Sequence, residues 1–198
     1  MLRENQNKDM TKFVLHGGMT SVRNKNNKNF YKEIIKDLPK NPKILISLFA
    51  NEESRWEDEY KNQKDNFLNN LGDLGFQFQM ALKEKFLEQL DWADAVHFRG
   101  GSTLRLLEVI KNYPEFKEKI SGETVSGSSA GAYFLADNFY ENDIQEIHQG
   151  LGLVNINLIA HYPSNQYPPI GEEVLEKFQK MDSGKLILIA ETNYKVFE

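Results

Sequence analysis

Short apolar runs alternate along this chain with longer stretches in which apolar residues recur every three or four positions. A short run bounded by Gly, Pro or Asn is typical of a buried β-strand, whereas the longer period is typical of an amphipathic helix. Seven runs of the first kind are predicted to be strands, at residues 12–16, 43–50, 75–81, 93–99, 123–127, 152–160 and 185–190. Five stripes of the second kind are predicted to be helix faces: Phe30, Ile34, Ile35 and Leu38; Phe67, Leu68 and Leu71; Phe86, Leu87 and Leu90; Leu104, Leu107, Val109 and Ile110; and Val174, Leu175 and Phe178.

The order of these elements predicts the fold class. Strand and helix alternate almost throughout, which favours an α/β fold, a three-layer α/β/α sandwich around a mostly parallel sheet. We expect a single domain over residues 1–198, in which residues 1–11 form a flexible N-terminal segment. In such sheets ligands bind beyond the carboxyl ends of the strands. The turns that should therefore meet at one rim are residues 17–18, 50–51, 100–101 and 127–132.

Composition narrows the function classes. Of the 198 residues, 40% are hydrophobic and 12% aromatic, which is enough for a sizeable core and excludes a wholly disordered chain. The net charge of −5 argues against the broad basic surface of a nucleic-acid binder, so no nucleic-acid partner is expected. The absence of cysteine excludes disulfide scaffolds, zinc sites built on thiolates and a Cys nucleophile.

The first residues are polar and lack the apolar region of a signal peptide. No stretch approaches the roughly 18 to 20 apolar residues that span a bilayer. We therefore expect a cytoplasmic protein without a membrane partner.

The strongest chemical signal is at residues 127–131, whose sequence GSSAG fits the G-x-S-x-G pattern of a nucleophile elbow. In this arrangement a strand turns sharply into a helix, and small neighbours let the chain pack closely. The hydroxyl of Ser129 would then stand at the end of the sheet, near the positive end of the following helix. The amide of Ala130 would point at the negative oxygen that develops during acyl transfer. The alternative is a Gly/Ser turn that only caps a helix.

A second turn, Gly100-Gly101-Ser102-Thr103, ends one predicted strand and opens a helix. Adjacent glycines expose backbone amides, so this turn can donate hydrogen bonds to an anion or oxyanion. The alternative is a purely structural turn followed by a Ser or Thr helix cap. Beside a serine elbow, we favour the oxyanion-hole interpretation.

A serine nucleophile needs a base, and the chain has four histidines. His16 and His97 lie inside predicted strands, where a buried, hydrogen-bonded histidine is the better explanation. His148 lies in a polar stretch and is predicted to be at the surface. His161 follows an apolar run and precedes a loop, so it sits at a strand end like the elbow and is the best base. No His-x-Glu or H-E-x-x-H spacing occurs, so we expect neither a metal site nor a cofactor.

A carboxylate should orient the imidazole of the base. Asp143 lies between Ser129 and His161 in the sequence, whereas Glu191 follows a predicted strand. The residue pattern does not choose between these two acids. Weaker options, typical of a solvated face, are Asp137, Glu141 and Glu146.

With these features together, the chain resembles the peptidase E family of serine peptidases. That family includes aspartyl dipeptidase and cyanophycinase and has a class I glutamine-amidotransferase-like fold, which is flavodoxin-like in its layers. Residues 98–107 match the family's Gly-Gly-Asn-Thr turn and helix, and residues 127–132 match its G-x-S-A-G-A elbow. Residues 150–154 and 160–162 match its G-L-G-L run and the histidine that follows. The likeness extends from about residue 13 to residue 191.

The resemblance implies a serine peptidase, a hydrolase that cleaves small peptides. It makes Ser129 the nucleophile and His161 the base, with oxyanion amides from Gly101 and Ala130. Residues of the glycine turn would bind substrate: Gly100, Ser102 and Thr103.

The aspartyl dipeptidase branch takes its acid from an Asn-Asp pair between elbow and histidine. Asn142 and Asp143 stand there, so Asp143 is the first choice and Glu191 the alternative. Ser102 replaces the family's usual Asn or Asp after the glycines. Aspartyl specificity is not carried over, because none of four arginines can be matched to a pocket that reads aspartate: Arg23, Arg55, Arg99 and Arg105.

The main alternative function is a non-catalytic binding or regulatory domain that retains the fold. A glutamine amidotransferase would need a Cys nucleophile, and a nucleotide-binding flavodoxin-like protein would need a phosphate loop; the sequence has neither. The expected partner is a small peptide substrate, and homodimerisation is left open.

Overall fold

Two sheets organise the part of the chain that the computed structural model describes, residues 10–181 and 184–198. The strands are β1 Lys12–His16, β2 Lys43–Ser47, β3 Gln77–Met80, β4 Ala95–Phe98, β5 Thr124–Ser128, β6 Ala136–Glu141, β7 Glu146–Gln149, β8 Val154–Ile159, β9 Lys185–Leu188 and β10 Tyr194–Phe197. The α-helices are α1 Lys25–Ile35, α2 Trp56–Leu71, α3 Phe86–Trp92, α4 Thr103–Ile110, α5 Phe116–Lys119, α6 Ala130–Tyr133 and α7 Glu172–Gln179. Short 3₁₀ turns at Glu53–Arg55 and Lys83–Lys85 precede α2 and α3.

The larger sheet has six strands among the described residues, in the order β10-β1-β5-β4-β2-β3. Its strands pair in parallel, except for β10, which is antiparallel to β1 at the edge. Every residue of β1, β4 and β5 is buried, so both faces of the sheet are covered. The α/β class and mostly parallel sheet predicted from the sequence are confirmed.

A smaller sheet of four strands, counted over the described residues, has the order β7-β6-β8-β9. The sequence predicts one sheet, and this second sheet is a correction. Strands β6 and β7 were not predicted because their sequences, ADNFYE and EIHQ, are polar and only partly buried. Their extended conformation is determined by pairing with neighbouring strands, and such pairing does not require an alternating hydrophobic pattern in the sequence. The edge strand β10 was missed for the same reason.

The predicted strand at residues 43–50 is longer than β2, which ends at Ser47. Leu48, Phe49 and Ala50 are nonetheless almost fully buried. The apolar run therefore continues through a turn that packs into the core, and hydrophobicity alone could not locate the last paired residue.

The helix faces follow the predicted stripes, with one correction in α4. Phe30 and Ile34 in α1 are fully buried, as is Phe67 in α2. In α4 the buried residues are Thr103, Leu106 and Ile110, while Leu104 is 43% exposed. Because Ser102 caps this helix, α4 begins with Thr103 and turns Leu104 toward solvent.

The predicted flexible segment, residues 1–11, lies outside the described residues except for its last two positions. Thr11 is anchored, since its Oγ1 donates to the carbonyl of Ile120 at 3.0 Å. In the part of the chain that the structure describes, no helix has the length and apolar character needed to cross a membrane.

Candidate active site

Ser129 stands at the turn between β5 and α6, in a backbone conformation that side chains rarely adopt. Its φ of 52° and ψ of −117° are outside the usual regions for a residue with a Cβ. The neighbouring glycines make the turn feasible. A Cβ on Gly127 would overlap the carbonyl oxygen of Gly131, and a Cβ on Gly131 would overlap that of Phe98. The local geometry is that of a strained elbow on which a serine hydroxyl is displayed.

The glycine-rich turns at the carboxyl ends of the strands meet around this serine. The amide of Ser129 donates to the carbonyl of His16 at 3.0 Å, which ties the elbow to the end of β1. The backbone of Gly100 lies against Ser129, because a Cβ on this glycine would be 3.1 Å from the Cβ of Ser129. Ser102 donates its amide to Ala50, which joins the second turn to the end of β2. The rim predicted from the sequence is therefore assembled.

His161 brings its ring to the serine hydroxyl. Its Nε2 lies 2.9 Å from Ser129 Oγ, a hydrogen-bond distance across 32 residues of sequence. The residue follows β8 with a φ of 55°, and its amide donates to the carbonyl of Gly17. The ring packs directly on Gly18, where a Cβ would overlap ring atoms of the imidazole. A glycine is thus required beneath the ring, and Gly18 also has the positive φ of 140°.

Burial lowers the pKa of His161, and the nearby carboxylates of Glu191 and Asp143 act in the opposite direction. The net result is a pKa below the ordinary histidine value of 6.5. The imidazole is therefore neutral at neutral pH, which is the state that can accept a proton from a hydroxyl.

The other ring nitrogen of His161 has no partner in the described chain. Nδ1 is buried and makes no hydrogen bond among those residues. Glu191 is engaged elsewhere, since Ser164 Oγ donates to its Oε1 at 2.6 Å. Asp143 lies on the wall of the same cleft as Ser129 and His161, beside Tyr167. The pKa of Tyr167 is raised, chiefly by burial and then by the charge of Asp143. Neither predicted acid contacts Nδ1 in this conformation.

The turn after β4 adopts a conformation that needs glycine. Gly101 has a φ of 153°, and a Cβ there would be 2.5 Å from the carbonyl oxygen of Ala50. Gly100 and Gly101 line the cleft, whereas Ser102 and Thr103 are not among its wall residues. Ser102 accepts a hydrogen bond from Arg105 at the start of α4, and the side chain of Thr103 is fully buried. Substrate binding by Ser102 and Thr103 stays a prediction.

The remaining histidines are structural or peripheral in position. His16 and His97 are fully buried, and burial lowers their pKa values to about 4 and about 3. His97 Nδ1 lies 2.9 Å from Ser126 Oγ. His148 differs from the sequence prediction, because it is half-buried in β7 and its ring stacks on Phe139.

The cleft has a volume of about 870 Å³ and is lined mainly by polar side chains. One wall comes from α2, which the sequence reasoning did not include in the site. Asn62, Asn66 and Asn69 all line it, and their spacing places them on one helix face. That spacing of amides in an otherwise charged helix was the signal that could have identified this wall.

Among residues 10–181 and 184–198, no group of three His, Asp or Glu side chains converges in a way that could hold a metal ion. The site as described consists of a serine, a histidine, two glycine turns and nearby carboxylates.

Comparison with known proteins identifies related folds and a family for this chain. The chain resembles a crystal structure of a peptidase from an acI-B1 Actinobacterium, with 22% identity and a TM-score of 0.72 over 98% of this chain and 85% of that one. It also resembles a protein from Listeria monocytogenes EGD-e described as a candidate peptidase E, with 17% identity and a TM-score of 0.69 over 96% and 98% of the two chains. At these identities the likeness supports the fold. No curated protein matches the sequence.

The sequence model of Peptidase family S51 matches residues 13–196, nearly the whole chain. This match confirms the resemblance to the peptidase E family that the motifs indicated. The chain belongs to peptidase family S51.

Proposed function

We propose that this chain is a serine peptidase that hydrolyses small peptides with Ser129 as nucleophile and His161 as base. The observation that carries the proposal is the 2.9 Å distance between Ser129 Oγ and His161 Nε2, at an elbow where the serine has a φ of 52°. A neutral imidazole in contact with a displayed hydroxyl is the arrangement that activates serine for attack on a carbonyl.

In the proposed reaction, Ser129 Oγ attacks the carbonyl carbon of the scissile peptide while its proton passes to His161 Nε2. The carbonyl oxygen becomes an oxyanion, which the amides of Gly101 and Ala130 stabilise. The imidazolium then donates its proton to the leaving amine, and the C–N bond breaks to leave an acyl-enzyme. A water molecule then attacks the ester carbonyl carbon while its proton passes to the same imidazole. The C–Oγ bond breaks, Ser129 Oγ takes that proton from the imidazolium, and the acid product is released. No metal or cofactor takes part in this sequence of steps.

The cleft supports a small, polar peptide as substrate. It is open to solvent and lined by amide side chains of α2 and by Gln166, which can hydrogen-bond to peptide groups without selecting a charge. The principal cation on its walls, Arg99, already pairs with Glu59 at 2.8 Å. These features do not favour an acidic side chain on the substrate.

A non-catalytic binding domain is the competing function. Strained backbone at a position with a side chain costs of order 1–3 kcal/mol and persists where surrounding structure enforces it. A domain without turnover would have no need for this conformation at Ser129, and the strain therefore favours catalysis.

The test compares Ser129→Ala with Ser128→Ala. Ser128 is the last residue of β5 and occupies the variable position of the elbow. We expect Ser129→Ala to abolish peptide hydrolysis and labelling by a fluorophosphonate probe, with the thermal unfolding midpoint nearly unchanged. Ser128→Ala should retain most of the activity. Equal losses from both variants would mean that the turn was damaged, and undiminished hydrolysis by Ser129→Ala would refute the proposed nucleophile.

A further inference from the structure

The peptide unit between Gly100 and Gly101 is held by the side chain of the preceding residue. Arg99 Nη1 donates to the carbonyl oxygen of Gly100 at 2.7 Å. That oxygen and the amide N–H of Gly101 belong to one planar peptide unit and point in opposite directions. Any group that fixes the carbonyl therefore also fixes the direction of the Gly101 amide, which is one of the proposed oxyanion donors.

Arg99 is in turn fixed by Glu59 in α2. Arg99 Nη2 lies 2.8 Å from Glu59 Oε2, and Arg55 Nη2 lies 2.7 Å from the other carboxylate oxygen. The side chain of Glu59 is only 6% exposed, so this carboxylate depends on its arginine partners. The contacts form a continuous connection from the buried Glu59 through Arg99 to the glycine turn, while Arg55, whose side chain is 62% exposed, contacts Glu59 from outside this connection.

A turn built from two glycines needs such an external support. Glycine lacks the Cβ that restricts φ and ψ, so the peptide unit between two glycines can rotate more freely than any other. Gly101 already has a φ of 153°, far from the conformations of other residues. A guanidinium on the carbonyl oxygen limits that rotation. Its charge also polarises the peptide unit and makes the amide a stronger hydrogen-bond donor.

We propose that Arg99 and Glu59 are positioning residues that aim the Gly101 amide at the oxyanion and strengthen it as a donor. This inference rests on the proposed function, in which Ser129 attacks a carbonyl. The two residues act through the Gly100–Gly101 peptide unit and do not themselves touch the reacting atoms.

The other role open to Arg99 is to bind a carboxylate of the substrate, since it lies on the wall of the cleft. Its hydrogen bonds argue against that role. Nη1 is bonded to Gly100 and Nη2 is paired with Glu59, while Nε is buried and has no hydrogen-bond partner among the described residues. A substrate carboxylate would have to displace Glu59, a buried acid, to form a bidentate pair.

The test measures kcat and KM of Arg99→Met and Glu59→Gln on a neutral peptide that the full-length enzyme cleaves. Complete removal of an oxyanion donor costs about 10²–10³ in kcat. Because the donor is misdirected and not removed, we expect kcat to fall by about tenfold to a hundredfold, with KM within about twofold. The affinity for a peptide boronic acid, whose tetrahedral adduct mimics the oxyanion, should fall by the same factor as kcat.

Two further variants make the test specific. Arg55→Met removes the other partner of Glu59 from an exposed position and should leave kcat within about threefold. Arg99→Lys keeps the charge, but one ammonium cannot hold Glu59 and Gly100 in the same fork geometry, so its kcat should be intermediate. Thermal unfolding of each variant checks folding, and Glu59→Gln serves as the test if Arg99→Met does not fold.

Three results would overturn the inference: a normal kcat in both Arg99→Met and Glu59→Gln, a rise in KM that accounts for the whole effect, or a loss limited to substrates with acidic groups. If Ser129→Ala is inactive while both positioning variants are normal, the proposed function stands and only this inference fails. If Ser129→Ala is fully active, the proposed function is wrong, and this inference, which depends on it, is wrong as well.

Discussion

His16 and His161 are buried histidines near the carboxyl ends of two strands, yet their ring nitrogens are used differently. His16 Nδ1 accepts a hydrogen bond from the amide of Gly18 at 3.0 Å, and its Nε2 lies 2.9 Å from Asn27 Oδ1. His161 Nε2 contacts Ser129, while its Nδ1 has no partner within the described residues. Buried polar atoms in folded proteins are usually paired, and Nδ1 of His161 is the nitrogen to which the acid of the proposed triad would bind.

The paired histidine supports the unpaired one. Since His16 Nδ1 accepts a hydrogen bond from the amide of Gly18, its Nε2 carries the hydrogen and donates a hydrogen bond to Asn27 Oδ1. Asn27 then donates to the carbonyls of Met19 and Val22, which fixes the loop after β1. This loop presents Gly18 to the ring of His161. A structural histidine and a proposed catalytic one are therefore linked through one loop, with the strain and the missing partner confined to the second.

The largest loss of kcat should follow removal of the carboxylate that accepts a hydrogen bond from Nδ1 of His161 in the proposed triad. We expect Asp143→Asn to lower kcat by about 10⁴, because the carboxylate would no longer fix the imidazole tautomer or stabilise the imidazolium. Glu191→Gln should retain near-normal rates. We rank Asp143 first because it lines the cleft, whereas Oε1 of Glu191 accepts a hydrogen bond from Ser164; the charges of Glu191 and Asp143 both act to raise the pKa of His161. Steady-state kinetics on any cleaved peptide provides the measurement.

Asp65→Asn is the control for this comparison. Asp65 also lines the cleft, but its carboxylate is paired with Lys61 at 2.9 Å. The Asp65→Asn substitution should therefore change kcat little. A dead Glu191→Gln beside a normal Asp143→Asn would reverse the assignment of the acid.

A smaller effect is expected from a methyl group placed under His161. In Gly18→Ala the new Cβ would overlap the ring, so the imidazole must shift, which disturbs the 2.9 Å contact between Nε2 and Ser129 Oγ. Displacement of a catalytic group by about 1 Å can cost about a hundredfold in rate, and we expect a loss of that size in kcat.

Gly72→Ala provides the matched control for strain. Gly72 has a φ of 75° and nothing within 4 Å of its added Cβ, so this variant has the backbone cost of a positive φ without the overlap. It should lose some stability and keep its activity. Equal kinetic losses in the two alanine variants would show that strain, and not displacement of His161, causes the effect.

The sequence was most informative where a chemical feature is local. The elbow combines a strand, a glycine-bounded serine and a helix within ten residues, and its geometry follows from the residues 127–131 themselves. His161 could be selected because it follows an apolar strand. The parallel sheet was predictable from the alternation of elements, whose apolar periods differ.

Features that depend on contacts distant in the sequence were not predictable. Which carboxylate approaches Nδ1 of His161 depends on the conformations of the loops that carry Asp143 and Glu191. No hydrophobic pattern in the sequence predicts those conformations. The pair of Glu59 and Arg99 is separated by 40 residues, so nothing in the sequence distinguished Arg99 from the other three candidate arginines. Strands β6 and β7 depend on pairing partners more than on their own hydrophobicity.

The smallest expected effect concerns stability and uses His16, the fully paired member of the comparison. Burial lowers its pKa to about 4, against about 6.5 in an unfolded chain. Between these pH values the unfolded chain binds a proton that the folded chain does not, so the free energy of unfolding falls as the pH is lowered through that window. At pH 5 the loss from His16 is about 2 kcal/mol, since one pKa unit corresponds to about 1.4 kcal/mol. His97, whose pKa is lowered by burial to about 3, acts in the same direction.

Urea unfolding at pH 7 and pH 5 measures the difference, and His16→Gln should lose about 2 kcal/mol less than the wild type over that interval. An unfolding free energy that is equal at both pH values, or an equal loss in His16→Gln, would mean that the folded protein admits the proton and that His16 is not held neutral by its surroundings.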